Sequence, residues 1–298
     1  MRADLHCHST VSDGTTSPGD VVRAAAALGI DVLALTDHDT SAGWSAAGAA
    51  ASATGVCLLP GMEISTKHDS RGVHLLAYLV DPSYVPLQDE LGRIRAGRDS
   101  RLPAMLGALA AAGVVLTEDE VRRQAGERPV LGRPHVADAM VARRLVESRQ
   151  EAFARWLNPG RPGFVVRYAP STATMIAIVT AAGGAAVLAH PWGRNSRSVV
   201  QRDALEEFRG AGLVGIEVDH QDHSATDRRQ LRDLAGQLDL VVTGASDYHG
   251  LGKVDHELGC NLTEPAELRR LLEAAATNAQ ASGRAVAPLV GTVPWDGR

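Results

Sequence analysis

Val32-Leu33-Ala34-Leu35-Thr36-Asp37-His38-Asp39 runs through four apolar residues and then through four polar or charged ones. A short apolar run without alternation predicts a strand buried on both faces, as in a parallel sheet. Six further runs read the same way: Ala3–His8, Val56–Ile64, Val73–Leu79, Ala185–His190, Gly215–Asp219 and Val241–Ser246. Pro18–Gly29 and Thr40–Gly55 lie between the first strands and end in glycine, and Ser17-Pro18 reads as a helix cap followed by proline at the first helical position. Strands alternating with helices predict an α/β fold.

The polar ends of these runs narrow the architecture. The first ends in His6-Cys7-His8, the second in Asp37-His38-Asp39 and the third in Gly61-Met62-Glu63; His74 lies in the fourth. The fifth ends in His190-Pro191, the sixth in Glu217-Val218-Asp219-His220 and the seventh in Ser246-Asp247-Tyr248-His249. An open doubly wound sheet gathers functional groups at one crevice, whereas a barrel collects them from the ends of many strands. The pattern predicts a distorted seven-stranded (β/α)7 barrel.

The alternation fails between residues 86 and 170, which read as helices over Asp89–Ala112, Thr117–Gly126 and Arg133–Arg149. We expect a barrel from 1–85 and 171–284, a helical insertion at 86–170 over its mouth, and a loose tail at 285–298. The chain has 298 residues, 45% hydrophobic and 22% charged, enough for a substantial core. A net charge of −5 argues against stable duplex nucleic-acid binding. Three dispersed cysteines give no disulfide framework, and no apolar run approaches the ~18 residues of a membrane span. With no secretion signal evident, a cytoplasmic location is expected, and no membrane partner.

His6 and His8, two residues apart on a strand, share one face, with Cys7 on the other. Together with Asp13, His38, Glu63, His74, His190, Asp247 and His249 they place six of the chain's eleven histidines and three carboxylates at or near strand ends. Burying so many titratable groups is costly unless cations compensate them, and nine nitrogen and oxygen donors exceed the needs of one ion. Several divalent metals are expected. Imidazole and carboxylate without thiolate suit manganese, iron or zinc, while calcium prefers all-oxygen shells.

Asp4-Leu5-His6-Cys7-His8-Ser9, Ser12-Asp13-Gly14, Thr36-Asp37-His38-Asp39-Thr40, Pro60-Gly61-Met62-Glu63-Ile64, His190-Pro191 and Ser246-Asp247-Tyr248-His249-Gly250 resemble the motifs of the polymerase and histidinol phosphatase (PHP) superfamily. Within it the chain is most similar to bacterial phosphoesterases that act on nucleoside 3′,5′-bisphosphates and short RNA 5′ ends. Gly132-Arg133-Pro134-His135-Val136-Ala137 resembles a further signature of that subgroup. The resemblance implies three metals, with manganese favoured. One would be held by His6, His8, Glu63 and Asp247, a second by Glu63, His74 and His190, and a third by Asp13, His38 and His249. It also implies hydrolysis of a small phosphorylated substrate by metal-activated water, with His190, His249 and Asp247 in the reaction. Histidinol phosphatase is the neighbouring alternative, and a metal-free regulatory module or an amidohydrolase are readings from other classes. The last normally uses a ligating lysine, which no strand-end motif here supplies.

Phosphates not bound by metal need cations. Arg95, Arg98 and Arg101 form one stripe if Asp89–Ala112 is a continuous helix, and Arg98 and Arg101 are expected to grip a second phosphate. Arg133 and His135 are similar candidates, and Glu217 and His223 are expected near the substrate or behind the ligands. His220 is read as structural, His68 as exposed, His256 as without a partner, and Gly183-Gly184 as a turn. The sequence names no protein partner.

Overall fold

The computed structural model describes residues 1–125, 131–193 and 196–295. They form two compact units, Met1–Leu91 with Pro170–Arg298, and Gly92–Ala169. The strands are β1 (Ala3–Cys7), β2 (Val32–Leu35), β3 (Cys57–His68), β4 (Arg71–Tyr78), β5 (Ala185–Ala189), β6 (Leu213–Asp219) and β7 (Val241–Gly244). The α-helices are α1 (Pro18–Ala27), α2 (Trp44–Thr54), α3 (Val85–Asp99), α4 (Arg101–Ala111), α5 (Glu118–Ala125), α6 (Arg133–Ala142), α7 (Arg149–Ala152), α8 (Thr172–Ala181), α9 (Arg202–Gly210), α10 (Ala225–Gln237) and α11 (Pro265–Ser282).

All seven strands belong to one curled sheet in sequence order. β1, β2 and β3 are mutually parallel, as are β5, β6 and β7. The sheet curls far enough for the end of β1 to meet the segment after β7: His8 N–H donates to the Tyr248 carbonyl at 2.8 Å. Continuous apolar runs follow from burial on both sides. β2 sends Val32 and Ala34 into one hydrophobic cluster with Leu5, Leu59, Leu76 and Tyr78, and Leu33 and Leu35 into another under α1 and α2. Ala25, Ala47, Ala50 and Ala51 belong to that second cluster, which explains the alanine-rich helices as close-packing ones.

The sheet departs from strict β/α alternation at β3 and β4. These form an antiparallel hairpin closed by Asp69 and Ser70, both left-handed at φ 44° and 64°, the geometry of a tight two-residue turn. β3 therefore runs to His68 rather than stopping at Ile64, and Glu63 lies within it rather than at its end.

The second unit is helical among its described residues, around Leu102, Met105, Leu109, Val121, Val136, Met140 and Leu157. The helix expected over Asp89–Ala112 is instead two, α3 and α4, joined at Ser100. Pro103 explains the break: proline has no N–H to donate and its ring clashes with the carbonyl one turn back, so it is tolerated only in a first turn. The helix expected over Arg133–Arg149 ends at Ala142, before the left-handed Arg144. Gly126, the expected end of α5, lies outside the described residues.

The expected loose tail is docked. The first residues of β3 pair with β2 on one side, and on the other Leu58 exchanges both backbone hydrogen bonds with Val290. Ala287 N–H donates to the Val80 carbonyl, and Val293 is buried. The tail thereby covers backbone groups that would otherwise face solvent at an edge. Ending the chain at Arg284 should destabilise it by about 3 kcal/mol, from three lost hydrogen bonds and one buried valine. Urea unfolding of the truncated chain measures this, and an unchanged midpoint would show the contacts to be incidental.

Candidate metal centre

The strands of the first unit converge on one carboxylate. Glu63 is fully buried, and β3 carries it past the end of β2, where its N–H donates to Thr36 O and its carbonyl accepts from Asp39 N–H. Its Oε2 lies 3.3 Å from His6 Nε2, 3.1 Å from His8 Nε2 and 3.2 Å from His38 Nδ1. Its Oε1 lies 2.6 Å from His74 Nδ1 and 3.1 Å from His190 Nε2. Five imidazoles from β1, β4 and the ends of β2 and β5 thus surround a single side chain.

Two further carboxylates complete the cluster. Asp247 Oδ1 lies 3.5 Å from both His6 Nε2 and His8 Nε2. Asp13 faces His249 Nε2 at 3.3 Å, His8 Nδ1 at 3.5 Å and His38 Nε2 at 3.6 Å. The donor atoms fall into groups with metal-ligand spacing: His6, His8, Glu63 and Asp247; His8, Asp13, His38 and His249; and His38, Glu63 and His74. His8 and His38 each belong to two groups, a sharing that strand alternation does not foretell.

The donor set fits divalent metals on a direct observation. Glu63 Oε2 and His38 Nδ1 are buried and close together, yet neither takes part in a hydrogen bond. Buried lone-pair donors left in this way are costly in protein alone and are natural ligands for a cation.

Neighbouring residues fix these donors. Glu217, fully buried on β6, accepts from His6 Nδ1–H at 3.1 Å and from the His190 backbone N–H at 2.8 Å, which turns His6 Nε2 toward Glu63. His249 Nδ1–H donates to the Asp247 carbonyl at 2.8 Å, leaving Nε2 toward Asp13. Asp37 accepts from Ser9 N–H, Ser9 Oγ and Ser12 Oγ, and so ties down the loop that carries Asp13. Gly14 is required there, since a Cβ would stand 2.7 Å from the His8 carbonyl oxygen. His190 and Asp247 have left-handed backbones, at φ 26° and 52°, a strain held at strand ends that carry donors.

Burial by itself would raise the carboxyls and lower the imidazoles, but mutual charge reverses this for most of them. Burial pushes Glu217 up, and His6, through its charge and its hydrogen bond, outweighs it, leaving the carboxyl at about 2. Glu63, Asp247 and Asp13 are likewise held down by the surrounding histidines against the effect of burial. Burial pushes His8 down, and the neighbouring carboxylates of Asp247, Glu63 and Asp13 override it, taking the imidazole up to about 9. For His38 burial prevails and the imidazole is lowered.

The expected substrate residues fall differently. His223 is buried, its Nδ1–H donating to Val218 O at 2.9 Å and its Nε2 accepting from Trp192 N–H at 3.2 Å. Both ring nitrogens are thus taken up by backbone groups, which fixes the loop after His190. Arg98 and Arg101 do not share one helical stripe. Arg98, at the end of α3, lines a groove of about 290 Å³ with Asp99, Leu102, Glu118 and Arg122. Arg101 begins α4 with its Nε buried and without a hydrogen bond. Burial lowers its guanidinium to about 10, helped by the like charges of Arg133 and Arg167. Arg133 also lies over the rings of Phe164 and Phe153, at 5.6 and 5.8 Å. His135 Nδ1 accepts from Gly132 N–H at the start of α6.

Sequence reasoning missed three features. Arg167 joins Arg101 and Arg133 although no motif marks it. His220 and Lys253 both contact Asp247, the former from the cluster after β6 and the latter from the segment following the last motif. His68 is half-buried, edge-on to Phe208 at 4.9 Å, rather than exposed.

Histidines and carboxylates gathered in this way around the strands of the first unit define a site suited to divalent metals. Comparison with known proteins gives the reaction class. The model of the PHP domain matches residues 4–114. The chain is 35% identical to a 3′,5′-nucleoside bisphosphate phosphatase of Chromobacterium violaceum over 86% of its length and 90% of the relative's. It is also 35% identical to a 5′-3′ exoribonuclease of Haemophilus influenzae, over 83% and 90% of the two chains. A Bifidobacterium adolescentis crystal structure described as that of a putative metal-dependent phosphoesterase superposes with a TM-score of 0.76 at 38% identity, covering 91% of this chain and 95% of that one. The chain belongs to the PHP family and is a metal-dependent phosphoesterase. No described helix is long and apolar enough to cross a membrane.

The charge balance yields a prediction for metal-free protein. Glu217 is depressed from 4.5, so its contribution to stability is present above 4.5 and lost as pH falls toward about 2. His8 is raised from 6.5, so its contribution is complete below 6.5 and lost as pH rises through about 9. The thermal stability of metal-free protein should therefore fall from pH 6.5 to 9, and added Mn2+ should flatten or reverse the trend, because metal replaces the protons. Parallel curves with and without Mn2+ would contradict it. Glu217→Gln should lower Mn2+ affinity by about 10- to 100-fold, read by chelator competition.

Proposed function

We propose that the chain removes the 3′-phosphate from nucleoside 3′,5′-bisphosphates and also trims short oligonucleotides from the 5′ end. The observation that carries the reading is the cluster centred on Glu63, which brings five histidines around one buried carboxylate, together with extensive similarity to a bisphosphate phosphatase and an exoribonuclease. The curled sheet is read as the distorted seven-stranded barrel expected from the sequence.

In this reading three divalent ions, with manganese favoured over iron and zinc, are held by the nine residues. His6, His8, Glu63 and Asp247 hold one, Glu63, His74 and His190 a second, and Asp13, His38 and His249 the third. Such ions would supply Lewis-acid polarisation of the phosphoryl group, activation of water and neutralisation of charge on the departing oxygen. The protein's own part is to fix the donors: Glu217 orients His6, and the backbone carbonyl of Asp247 orients His249. His190, His249 and Asp247 are proposed to take part in the reaction as ligands, setting the position and charge of the ions that would activate water. Arg101 and Arg133, with Arg98 and His135 assisting, are proposed to bind a phosphate group of the substrate. Support comes from Arg101, whose buried Nε takes part in no hydrogen bond and which feels the like charge of Arg133.

Phosphate release from a nucleoside 3′,5′-bisphosphate, measured with Mn2+ and with chelator, tests the main reading. Release is expected only with metal, and faster than from histidinol phosphate; absence of release with Mn2+ supplied would refute it. Glu63→Gln should lower kcat by 10³-fold or more, since the residue serves two of the proposed ions. Arg133→Ala should raise KM for the bisphosphate about tenfold while leaving KM for a simple monophosphate nearly unchanged. Equal effects on both substrates would remove Arg133 from the phosphate site.

A further inference from the structure

Behind Asp247, outside the nine proposed ligands, lies a cluster of His220, Lys253, His256 and Asp222. His220, Asp247 and His256 each bring one donor atom within 4.8 Å of the others, the spacing of another cation site. Hydrogen bonding decides what fills it. Asp222 N–H donates to His220 Nδ1 at 3.0 Å, which fixes the proton of the neutral ring on Nε2. Nε2–H then donates to Asp247 Oδ2 at 3.2 Å and has no lone pair for a metal. Lys253 Nζ donates to the same oxygen.

Lys253 approaches from a turn with little freedom. In the 3-10 turn Gly250–Gly252, Leu251 N–H donates to Thr15 Oγ1 at 2.8 Å and Gly252 N–H to His249 O at 3.2 Å. Thr15 N–H also donates to His249 O, so the turn is bonded to the loops that carry Asp13 and His249. On its far side Gln221 Nε2 donates to Asp255 O at 2.8 Å. Gly250 has φ +62°, and a Cβ there would stand 2.2 Å from Thr15 Oγ1.

We propose that Lys253 is a tethered monovalent cation that, with His220, holds Asp247 Oδ2 so that only Oδ1 serves the metal centre, and that it limits how tightly the centre binds divalent ions. Oδ1 is the oxygen that faces His6 Nε2 and His8 Nε2. An ammonium on the far oxygen of that carboxylate repels a divalent ion and draws charge away from Oδ1. The cost in affinity is accompanied by a stronger Lewis acid. This positioning role rests on the reading that the nine residues hold divalent metal.

Lys253→Met tests it with three readouts: Mn2+ dissociation constant by chelator competition, Mn per chain by elemental analysis, and the pH–rate profile on a nucleoside 3′,5′-bisphosphate. The dissociation constant should fall roughly tenfold at unchanged Mn per chain, and the acidic limb of the profile should move to higher pH. Lys253→Arg should restore both. His220→Ala, which removes a donor to Oδ2 but no fixed charge, should weaken Mn2+ binding instead. Unchanged or weaker Mn2+ binding in Lys253→Met overturns the proposal, as does a rise in KM alone, which would make the lysine a substrate contact. Failure of the unaltered protein to bind Mn2+ would overturn the metal-centre reading and the lysine's role with it.

Discussion

Five imidazoles around one buried carboxylate is the constraint on which the first unit depends. Glu63 can meet His6, His8, His38, His74 and His190 only if β1, β2, β4 and β5 all end or pass at the same level around it. β3 makes this geometrically feasible by extending beyond β2 and turning back as β4, so that its middle stands where its neighbours have become loops. The reversed hairpin is therefore part of how the site is made, since it brings His74 to the same carboxylate from an antiparallel strand.

Much of the sequence around the donors is concerned with holding them. Asp4, Asp37 and Asp39 are acidic motif residues whose hydrogen bonds go to backbone N–H and serine hydroxyls: Asp4 to Ser246 and Gly259, Asp37 to Ser9 and Ser12, Asp39 to Ser65. Asp4 thereby ties β1 to the segment after β7, Asp37 ties the loop after β2 to the loop after β1, and Asp39 ties the loop after β2 to β3. Without such ties the left-handed backbones at His190 and Asp247 would relax and the donors would lose their common focus. A site of this kind concentrates charge and strain that the surrounding apolar clusters must offset.

The strand pattern was legible because the sheet is buried on both faces and its apolar runs are unbroken; β1, β2 and β5 fall where those runs predict. Helix bounds in the second unit were less legible. Arginine spacing suggested one stripe across residues 95 to 101, but Pro103 cannot sit in a helix interior, and the break at Ser100 sends Arg98 and Arg101 to different surroundings. His223 looked like a polar group near a strand end, and only its contacts with Val218 and Trp192 reveal that both nitrogens serve the backbone.

The sequence by itself determined the α/β class, the strand order of the donors and the chemistry of the cluster, because residue type and the two-residue period of a strand are local properties. Tertiary structure alone decided which donors share a carboxylate and what stands behind them. Glu217 meets His6 across 211 positions and His220 meets Asp247 across 27, and such encounters leave no spacing to read. Lys253 shows the point most directly: six residues beyond Asp247, it follows the last motif as an ordinary surface lysine would, and only the folding of Gly250–Gly252 against Thr15 aims it at the carboxylate.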